Sequence, residues 1–386
     1  MTSLVDRLDE HTTLEYKKLE GSLPISLDIY YPPQPYTAPS RVPSDVPLPV
    51  IPTVVYFHAG GLTVGNRESW FPNWLHKRVN SLGYVFISAD YQLIPPSTAH
   101  DIVKDLQDLF AFITGREMQS GEATFKVDCD RIAVCGSSAG GLCAYLAVMN
   151  CEPKPKALLS LYGMGGDFFT WHYIAPKTSV FFRGREMLDP ANFAKYLYPF
   201  QPEDPLHKTS DSPRAYHPQS YHIPNYPANE RMLLARLYLQ MGNFLDYYTG
   251  MHEPSLSALL RDILLAREGE ENKEGNARAL DSSSSPTSTA EDYKRVIPPT
   301  QFSIFPQLAD HGSWPPTLLW HGTADTAVPI EDSRNMHKLL ENAGVPVQLI
   351  EFENQEHSFD YSPNAEDLWK ENFDGVKAFF DKWLRN

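Results

Sequence analysis

A short stretch near the middle of the chain combines two serines with closely spaced glycines. It reads RIAVCGSSAGGLCAYLAVMN over residues 131–150, and the serines lie between an apolar run and a segment of helical character. Residues 136–140 match the pattern G-x-S-x-G, a sharp turn from a strand to a helix with the central serine at its tip. Small residues on either side of the tip let the strand and the helix approach each other, although they also suit an ordinary turn. The pattern therefore indicates Ser138, and not Ser137, as a nucleophile.

A serine nucleophile needs a base that removes its proton and an acid that orients the base. In the chain order serine, acid, histidine, both partners come after Ser138. Asp325 follows the apolar run TLLW within HGTADTAVP, and His357 follows VQLIEFE within NQEHSFDY. Taken alone, each could be an ordinary turn or loop residue. Because they follow two predicted parallel strands whose loops are neighbours in space, together they predict a catalytic triad of Ser138, His357 and Asp325.

Two other carboxylates, Glu331 and Asp332, are rivals of Asp325 for the role of the acid. Both lie inside or beside the helix that is predicted for EDSRNMHKLLENAG, between the two strands. Side chains just past the end of a parallel strand reach the rim of the sheet, where ligands bind. We therefore expect Asp325, and neither rival, to orient the base.

Glycines after an earlier strand could supply the donors that stabilise an oxyanion. The apolar run PTVVYF is followed by the loop His58, Ala59, Gly60 and Gly61. The donors in a site of this kind are the N–H group after the nucleophile, here that of Ala139, and N–H groups of such a loop. Glycine has no side chain that would keep a substrate away from the backbone. The alternative is that these glycines only form an ordinary turn. We expect Gly60, Gly61 and Ala139 to form the oxyanion hole, and His58 to support the loop rather than act as a second base.

The surrounding pattern predicts an α/β protein in which a mostly parallel sheet positions these loops. Apolar, β-branched runs of this kind are typical of strands that are buried on both faces. They are IPTVVYFHA, YVFISAD, RIAVCGS, KALLSLYG, TLLWHG and VQLIEFE. Helical segments such as AHDIVKDLQDLFAFITGREM lie between them, and LEYKKLEGSLPISLDIYYP predicts a hairpin around Gly21. The alternation indicates a doubly wound sheet of about eight strands.

The alternation of strands and helices stops between about residues 163 and 310. This region is rich in Tyr, Phe, Trp and Pro, and it holds two helical patterns, ANERMLLARLYLQMGNFLDYYTG and SLSALLRDILLARE. We interpret it as a helical cap inserted into a core of residues 1–162 and 311–386. A polar, serine-rich stretch near residues 268–295 predicts a mobile surface loop within the cap.

Composition and charge exclude several classes of protein. Of the 386 residues, 42% are hydrophobic, which is enough for a large core. The 48 acidic and 33 basic residues give a net charge of −15, which argues against nucleic acid and anionic membrane surfaces as partners. The sequence shows no charged-then-apolar leader, no apolar run near the roughly 18 residues of a membrane span, and no zinc-type spacing of its four cysteines. We expect a cytoplasmic protein with reduced thiols, no membrane span and no metal.

Taken together, the motifs resemble those of the hormone-sensitive lipase-like esterases of the α/β-hydrolase fold. The matching residues are His58 to Gly61, Asp90-Tyr91 with the following QLIPP, Ala99-His100-Asp101, Gly136 to Gly141, HGTAD with Val328-Pro329, and His357 with Phe359. The resemblance covers residues 52–162 and 315–385. It implies an eight-stranded sheet with the second strand antiparallel, a cap above the site, and hydrolysis of short or medium acyl esters without a cofactor. By position, it assigns the residues named above to the triad and to the oxyanion hole.

The chain departs from the family pattern beside the expected site. Ala59 replaces the first glycine of the usual HGGG loop, and Leu62 replaces the aromatic residue that follows that loop. Ser137 replaces the acidic residue that usually precedes the nucleophile. The two glycine donors remain, so these differences leave the expected chemistry intact and the substrate open.

The group that releases the acyl chain decides which reaction such a site catalyses. With water, the protein is an esterase or lactonase that acts on a small-molecule ester or lactone, and this is the reaction we expect. With a hydroxyl of another molecule it is an acyltransferase, and with a hydroxyl of the same acyl chain it is a lactone-forming cyclase that acts on an ester or thioester. A non-enzymatic small-molecule receptor is the alternative outside catalysis, but relatives of that kind lose the triad histidine, and His357 is present. The apolar cap could also pair two subunits as a homodimer.

Overall fold

A computed structural model of the protein describes residues 10–19, 21, 23–33, 47–216, 227–273 and 290–385. Within these residues, nine strands form the central sheet. They are β1 Thr12–Lys18, β2 Pro24–Tyr30, β3 Val50–Phe57, β4 Val85–Ala89, β5 Met118–Ser120, β6 Ala123–Ser137, β7 Ala157–Leu161, β8 Thr317–Gly322 and β9 Val347–Phe352.

Eight of these strands follow one path across the sheet, in the order β1-β2-β4-β3-β6-β7-β8-β9. The second strand, β2, pairs antiparallel with both of its neighbours, and every pair from β4 onward along the path is parallel. The predicted α/β-hydrolase fold, with eight strands and an antiparallel second strand, is confirmed. The ninth strand, β5, was not predicted, because it has three residues and pairs only with an extension of β6 that begins well before the apolar run.

Helices cover the sheet on both faces and connect its strands. They are α1 Asn73–Asn80, α2 Ala99–Thr114, α3 Ala139–Asn150, α4 Trp171–Ile174, α5 Arg231–Met241, α6 Phe244–Thr249, α7 Leu256–Lys273, α8 Ala290–Lys294, α9 Ile330–Asn342, α10 Ala365–Leu368 and α11 Lys370–Leu384. Among the described residues, no helix combines the length and apolar character that crossing a bilayer requires.

Strand β3 shows why its sequence is a continuous apolar run. Val55 and Phe57 belong to the hydrophobic cluster that includes side chains of α2 and α3, whereas Val54 and Tyr56 belong to the cluster that includes side chains of α1 and α11. Successive side chains of a strand point to opposite faces, so a strand covered by helices on both faces needs apolar residues at every position.

The region between β7 and β8 contains α4 to α8. The predicted long helical pattern that begins at ANERMLL is split into α5 and α6, because Gly242 ends α5 with a positive φ of 66°. A Cβ atom at this position would lie 2.5 Å from the carbonyl carbon of Ala175, so glycine also lets α5 end against the segment after α4. Of the predicted mobile loop near 268–295, the first residues belong to α7 and residues 290–294 to α8, and residues 274–289 lie outside the described residues. The division into a core and a cap stays a prediction.

Candidate active site

The predicted nucleophile lies at the turn between β6 and α3. Ser138 has φ 54° and ψ −119°, a conformation that residues with side chains rarely adopt and that surrounding contacts must hold. Its N–H group donates to the carbonyl of Leu161, at the end of the neighbouring strand β7, at 2.9 Å. Its own carbonyl accepts from the N–H groups of Gly141 at 3.0 Å and Met164 at 3.1 Å. The backbone of Ser138 is therefore fixed on both sides at the carboxyl end of the sheet.

The two glycines of the G-x-S-x-G pattern are required by space. A Cβ atom on Gly136 would lie 2.1 Å from the carbonyl oxygen of Gly140, and a Cβ atom on Gly140 would lie 1.9 Å from that of Phe57. Both distances are far below van der Waals contact, so the strand and the helix can approach this closely only without side chains there. The spacing of the motif thus follows from the packing of α3 on β3 and β6.

The neighbouring serine has a different environment. Ser137 is fully buried, and its Oγ shares a hydrogen bond of 2.7 Å with the hydroxyl of Tyr56. Tyr56 also donates to the Trp70 carbonyl at 2.9 Å, and burial raises the pKa of its phenol, so the phenol stays protonated near neutral pH. Ser137 is therefore part of the packing below the turn.

Asp325 and His357 are joined by a short hydrogen bond. His357 Nδ1 donates to Asp325 Oδ2 at 2.6 Å, and both residues are buried. The other carboxylate oxygen of Asp325 accepts from the N–H groups of Ala327 at 2.9 Å and Val328 at 3.0 Å, which closes a turn after β8. Burial alone would raise the pKa of the Asp325 carboxyl, but His357 and His321 beside it outweigh burial and hold that pKa well below its ordinary value. Asp325 is therefore ionised and oriented toward the predicted base.

His321 is a neighbour of this pair that our reading of the sequence missed. It is fully buried at the end of β8, and its Nε2 lies 3.3 Å from Asp325 Oδ2. Nε2 donates to the carbonyl of Val328 at 2.9 Å, and Nδ1 is bonded to Ser333 Oγ at 2.7 Å. The signal in the sequence is a histidine that closes a buried strand four residues before the acid, but only the turn after β8 brings the two side chains together.

Tyr162 connects the predicted base to the strand that supports Ser138. Its ring meets the His357 ring edge to face, with centroids 4.7 Å apart. It directly follows Leu161, whose carbonyl holds the Ser138 N–H group, and its hydroxyl donates to the buried carboxylate of Asp360 at 2.7 Å. Trp74 Nε1 donates to the other oxygen of Asp360 at 3.0 Å. The His357 ring is therefore packed against the end of β7, the strand next to Ser138.

The glycine loop after β3 has the backbone freedom that the sequence predicts. Gly60 and Gly61 have φ values of 119° and 62°, which disfavour residues with side chains. The Gly60 carbonyl accepts from the N–H groups of Thr63 at 3.0 Å and Val64 at 3.2 Å, so it is turned back into the loop. Ala139 begins α3 beside this loop and is fully buried.

His58 lies under the glycine loop and is fully buried. Its Nδ1 donates to the adjacent Ala59 carbonyl at 2.6 Å, and its ring stacks on Tyr91 with centroids 4.3 Å apart. The Tyr91 hydroxyl donates to the His58 carbonyl at 2.8 Å. Burial lowers the pKa of His58 to about 4, although the hydrogen bond to Ala59 acts in the opposite direction. An uncharged ring held in this way suits a support for the loop better than a base that takes up a proton.

Residues between β7 and β8 contact the glycine loop. A Cβ atom on Gly61 would lie 2.3 Å from the Cβ atom of Ala235 in α5. Arg231, at the start of α5, donates to the Thr63 carbonyl at 2.8 Å and to the Ile94 carbonyl at 3.0 Å. Helix α5 is therefore packed directly on the predicted oxyanion loop.

The same region also contacts the acid loop. The Arg183 N–H group donates to Thr326 Oγ1 at 2.8 Å, and Tyr173 donates to the buried rival carboxylate Asp332 at 2.8 Å. Gly165 N–H donates to the same oxygen of Asp332 at 2.7 Å. The other rival, Glu331, lies on α9 with Arg334 as an ion-pair partner at 3.3 Å. Asp332 therefore anchors the segment after β7, and Asp325 is the carboxylate that the structure brings to His357.

No group of three or more His, Cys, Asp or Glu side chains in the described part of the chain is arranged to hold a metal ion. The geometry described above supports acyl-transfer chemistry from side chains and backbone N–H groups. A strained serine at a strand-to-helix turn, an acid–imidazole pair and a glycine loop lie around the carboxyl ends of adjacent strands, which is where open α/β sheets bind ligands.

Comparisons with known proteins agree with this fold. A family model described as alpha/beta hydrolase fold matches residues 54–222, and a model described as prolyl oligopeptidase family matches residues 273–386. The carboxylesterase EstE1 from a metagenomic library has a similar structure, with a TM-score of 0.53 and 17% identity over 98% of this chain and 90% of that chain. This likeness concerns the fold.

Two curated relatives are similar to different lengths of the chain. The probable carboxylesterase M8 of Phoma sp. is 32% identical over 117 residues, which are 29% of this chain and 37% of that protein. The non-reducing polyketide synthase pkbA of Emericella nidulans is 24% identical over an alignment of 399 positions, which covers 97% of this chain but 14% of the synthase. The chain therefore matches much less than two thirds of the length of either relative.

Proposed function

We propose that this chain, which has the α/β-hydrolase fold and resembles the hormone-sensitive lipase-like esterases, hydrolyses carboxylic esters or lactones of small to medium acyl groups through an acyl-enzyme on Ser138. The observation that carries this proposal is the 2.6 Å hydrogen bond between His357 and the buried, ionised Asp325. The strained turn of Ser138 at the carboxyl end of β6, in the same sheet, supports it. The similarity to a probable carboxylesterase supports the reaction class.

The mechanism uses the three side chains in sequence. Ser138 Oγ attacks the ester carbonyl while His357 Nε2 takes its proton, and Asp325 holds the ring with its proton on Nδ1 and stabilises the imidazolium that forms. His357 then gives the proton to the leaving alcohol, which leaves the acyl group on Ser138. Water, deprotonated by the same ring, attacks the acyl-enzyme, and His357 returns that proton to Ser138 Oγ as the acid is released.

The oxyanion of each tetrahedral intermediate needs donors in fixed positions. We assign this role to the N–H groups of Gly60, Gly61 and Ala139, with His58 as the support of the loop. The carbonyl of Gly60 is turned into the loop, an orientation that leaves the following N–H group available to a ligand. Each such donor lowers the barrier by roughly 2.7 to 4 kcal/mol in comparable sites.

We further propose that residues 163–310 form a cap that sets which acyl groups reach Ser138. The contacts of α5 with the glycine loop and of Arg183 with the acid loop support this proposal. Ser138 and His357 are only 7% and 9% exposed, so a substrate has to pass the residues that cover them, and we assign that cover to this region.

The contact between the cap and the glycine loop can be tested through stability. Gly61→Ala should lower the free energy of unfolding by roughly 1–3 kcal/mol, because the new Cβ atom would overlap that of Ala235. Adding Ala235→Gly should restore part of this loss, although a glycine inside a helix by itself costs about 1 kcal/mol. Chemical denaturation of the wild type, the two single variants and the double variant measures the coupling free energy between the two positions.

A matched control separates the contact from the cost of the backbone conformation. Gly83 also has a positive φ, of 81°, but no atom lies within 4 Å of a Cβ placed there. Gly83→Ala should therefore show the backbone cost alone. If Gly61→Ala proves no more destabilising than Gly83→Ala, α5 does not pack on the loop as described.

Turnover of p-nitrophenyl esters from acetate to decanoate tests the proposed function. We expect hydrolysis that is fastest for the shorter acyl chains, and a single adduct on Ser138 after treatment with an organophosphonate, located by mass spectrometry. Turnover without an adduct on Ser138 would contradict the mechanism. Neither turnover nor an adduct would favour the receptor function.

Acyl transfer, including intramolecular lactone formation, is the second candidate. The observation in its favour is the similarity over 97% of this chain to part of a polyketide synthase, an enzyme class that builds acyl chains. The buried site would also restrict water. An adduct on Ser138 without hydrolysis would point to this reaction, and mass analysis of products from hydroxyacyl thioesters, with and without an added alcohol, would then distinguish lactone, ester and acid.

A further inference from the structure

We propose that His321 is a positioning residue that holds the carboxylate of Asp325 in the orientation needed by His357. This inference rests on the proposed function, since it names a residue that acts through the acid of that site. His321 and Asp325 both have fully buried side chains, and the Asp325 oxygen that lies 3.3 Å from His321 Nε2 is the one that accepts from His357.

The partners of His321 define where its proton lies. A carbonyl oxygen can only accept, so Nε2, at 2.9 Å from the Val328 carbonyl, must carry a hydrogen. In the uncharged ring Nδ1 then has a lone pair, and the hydroxyl of Ser333 donates to it at 2.7 Å. Ser333 on α9 thus selects the tautomer that directs an N–H group of His321 toward both Val328 and Asp325.

His321 adds a further contact to the turn after β8. The turn is already held by Asp325 Oδ1, which accepts from the N–H groups of Ala327 and Val328. His321 adds a donor that bridges the Val328 carbonyl and Asp325 Oδ2. Without it, the donor left to Asp325 Oδ2 among the described contacts would be His357, the ring that this carboxylate has to orient.

The consequence for catalysis is geometric and electrostatic. Misplacing a catalytic group by about 1 Å can cost roughly 100-fold in rate. A donor beside Asp325 Oδ2 also spreads the negative charge of the carboxylate, so its removal concentrates that charge on the His357 hydrogen bond. The acid limb of the activity profile, which reports protonation of the essential base, should therefore move to higher pH when this donor is removed.

Two substitutions at His321 separate positioning from packing. His321→Asn places its amide near Nδ1, keeps the contact with Ser333 and lacks a group at Nε2, whereas the longer amide of His321→Gln can reach the position of Nε2. We expect the Asn variant to lose roughly 100-fold in kcat with little change in KM, and its kcat/KM profile to shift its acid limb to higher pH. The Gln variant should recover most of the lost kcat, and the acid limb of its kcat/KM profile should lie close to that of the wild type.

A buried histidine elsewhere supplies the control. His311 Nε2 donates to the Pro306 carbonyl at 3.0 Å and is also buried, but it takes no part in the proposed site. His311→Asn should lower the melting temperature without changing kcat or the pH profile. If His321→Asn behaves like His311→Asn, or if its loss of activity matches its unfolded fraction, the positioning role is wrong.

The position of the acid can also be followed without turnover. The proton between His357 and Asp325 should give a low-field proton NMR signal in the wild-type protein. We expect the signal to shift or broaden in His321→Asn and to return in His321→Gln, and an unchanged signal in both variants would overturn the inference even if no ester is hydrolysed. Should His321→Asn fail to fold, Ser333→Ala is the alternative variant, because it removes the hydroxyl that fixes the tautomer of His321. Ser333→Ala should shift the NMR signal and the acid limb of the kcat/KM profile in the same direction as His321→Asn, by a smaller amount.

Discussion

Ser138→Ala should lower kcat/KM for a p-nitrophenyl ester by roughly a million-fold, the size seen when the nucleophile of a serine triad is removed. The residual rate should stay above that of the uncatalysed reaction, because the glycine loop and Ala139 can still stabilise an oxyanion formed by direct attack of water. Stability should change little, since Ser138 is held in its turn by backbone hydrogen bonds that alanine keeps. Steady-state kinetics and thermal unfolding of purified variants measure both effects.

Ser137→Ala is the matched control for this prediction. The substitution removes the hydroxyl that bonds to Tyr56, but Tyr56 keeps its bond to the Trp70 carbonyl. We expect a loss of about 0.5–1.5 kcal/mol in the free energy of unfolding and activity within a few-fold of the wild type. A larger loss of activity in Ser137→Ala than in Ser138→Ala would show that Ser137, and not Ser138, is the nucleophile.

The turn at Ser138 could be predicted because the pattern that marks it is contiguous in sequence. Gly136 and Gly140 are needed where β6 and α3 cross, and both belong to a five-residue pattern that can be read directly. The relation between Asp325 and His357 was also accessible, since each follows a strand and neighbouring parallel strands end at the same edge.

Other features depend on contacts that are distant in sequence. The helical pattern after residue 228 does not reveal that Gly242 must pass close to Ala175, so the break between α5 and α6 was missed. The aromatic residues after β7 indicate burial, but not that Tyr173 would donate to Asp332 on α9. His321 was read only as part of a motif, because its contact with Asp325 depends on the exact closure of the turn after β8.

Asp325→Asn should reduce kcat by about 10⁴-fold while the fold is kept. The orientation of the asparagine amide, which explains this loss, follows from the contacts of each carboxylate oxygen of Asp325. Oδ1 accepts from two backbone N–H groups, at Ala327 and Val328, so the amide oxygen of asparagine must take that position. The NH₂ group then faces His357 Nδ1 and donates to it, which moves the ring proton to Nε2 and leaves no lone pair to deprotonate Ser138.

The pH dependence of stability provides a second readout of Asp325→Asn. The folded pKa of Asp325 is held below the ordinary value of 3.8, so its charge stabilises the wild-type fold at pH values above the unfolded pKa. This contribution is lost as the pH falls through the folded pKa. The difference in free energy of unfolding between wild type and Asp325→Asn should therefore be largest near neutral pH and shrink in acid.

Asp332→Asn is the contrasting variant, because burial raises the pKa of Asp332 well above its ordinary value. The ionised form of this carboxyl is therefore the one that destabilises the fold, and its replacement should stabilise the protein relative to wild type as the pH rises. An amide oxygen can still accept from Tyr173 and Gly165, so kcat should change little. Two buried aspartates seven residues apart should thus respond to the same substitution with opposite pH trends in stability, and only Asp325→Asn should lower kcat by about 10⁴-fold. A large loss of kcat in Asp332→Asn would instead make Asp332 the acid.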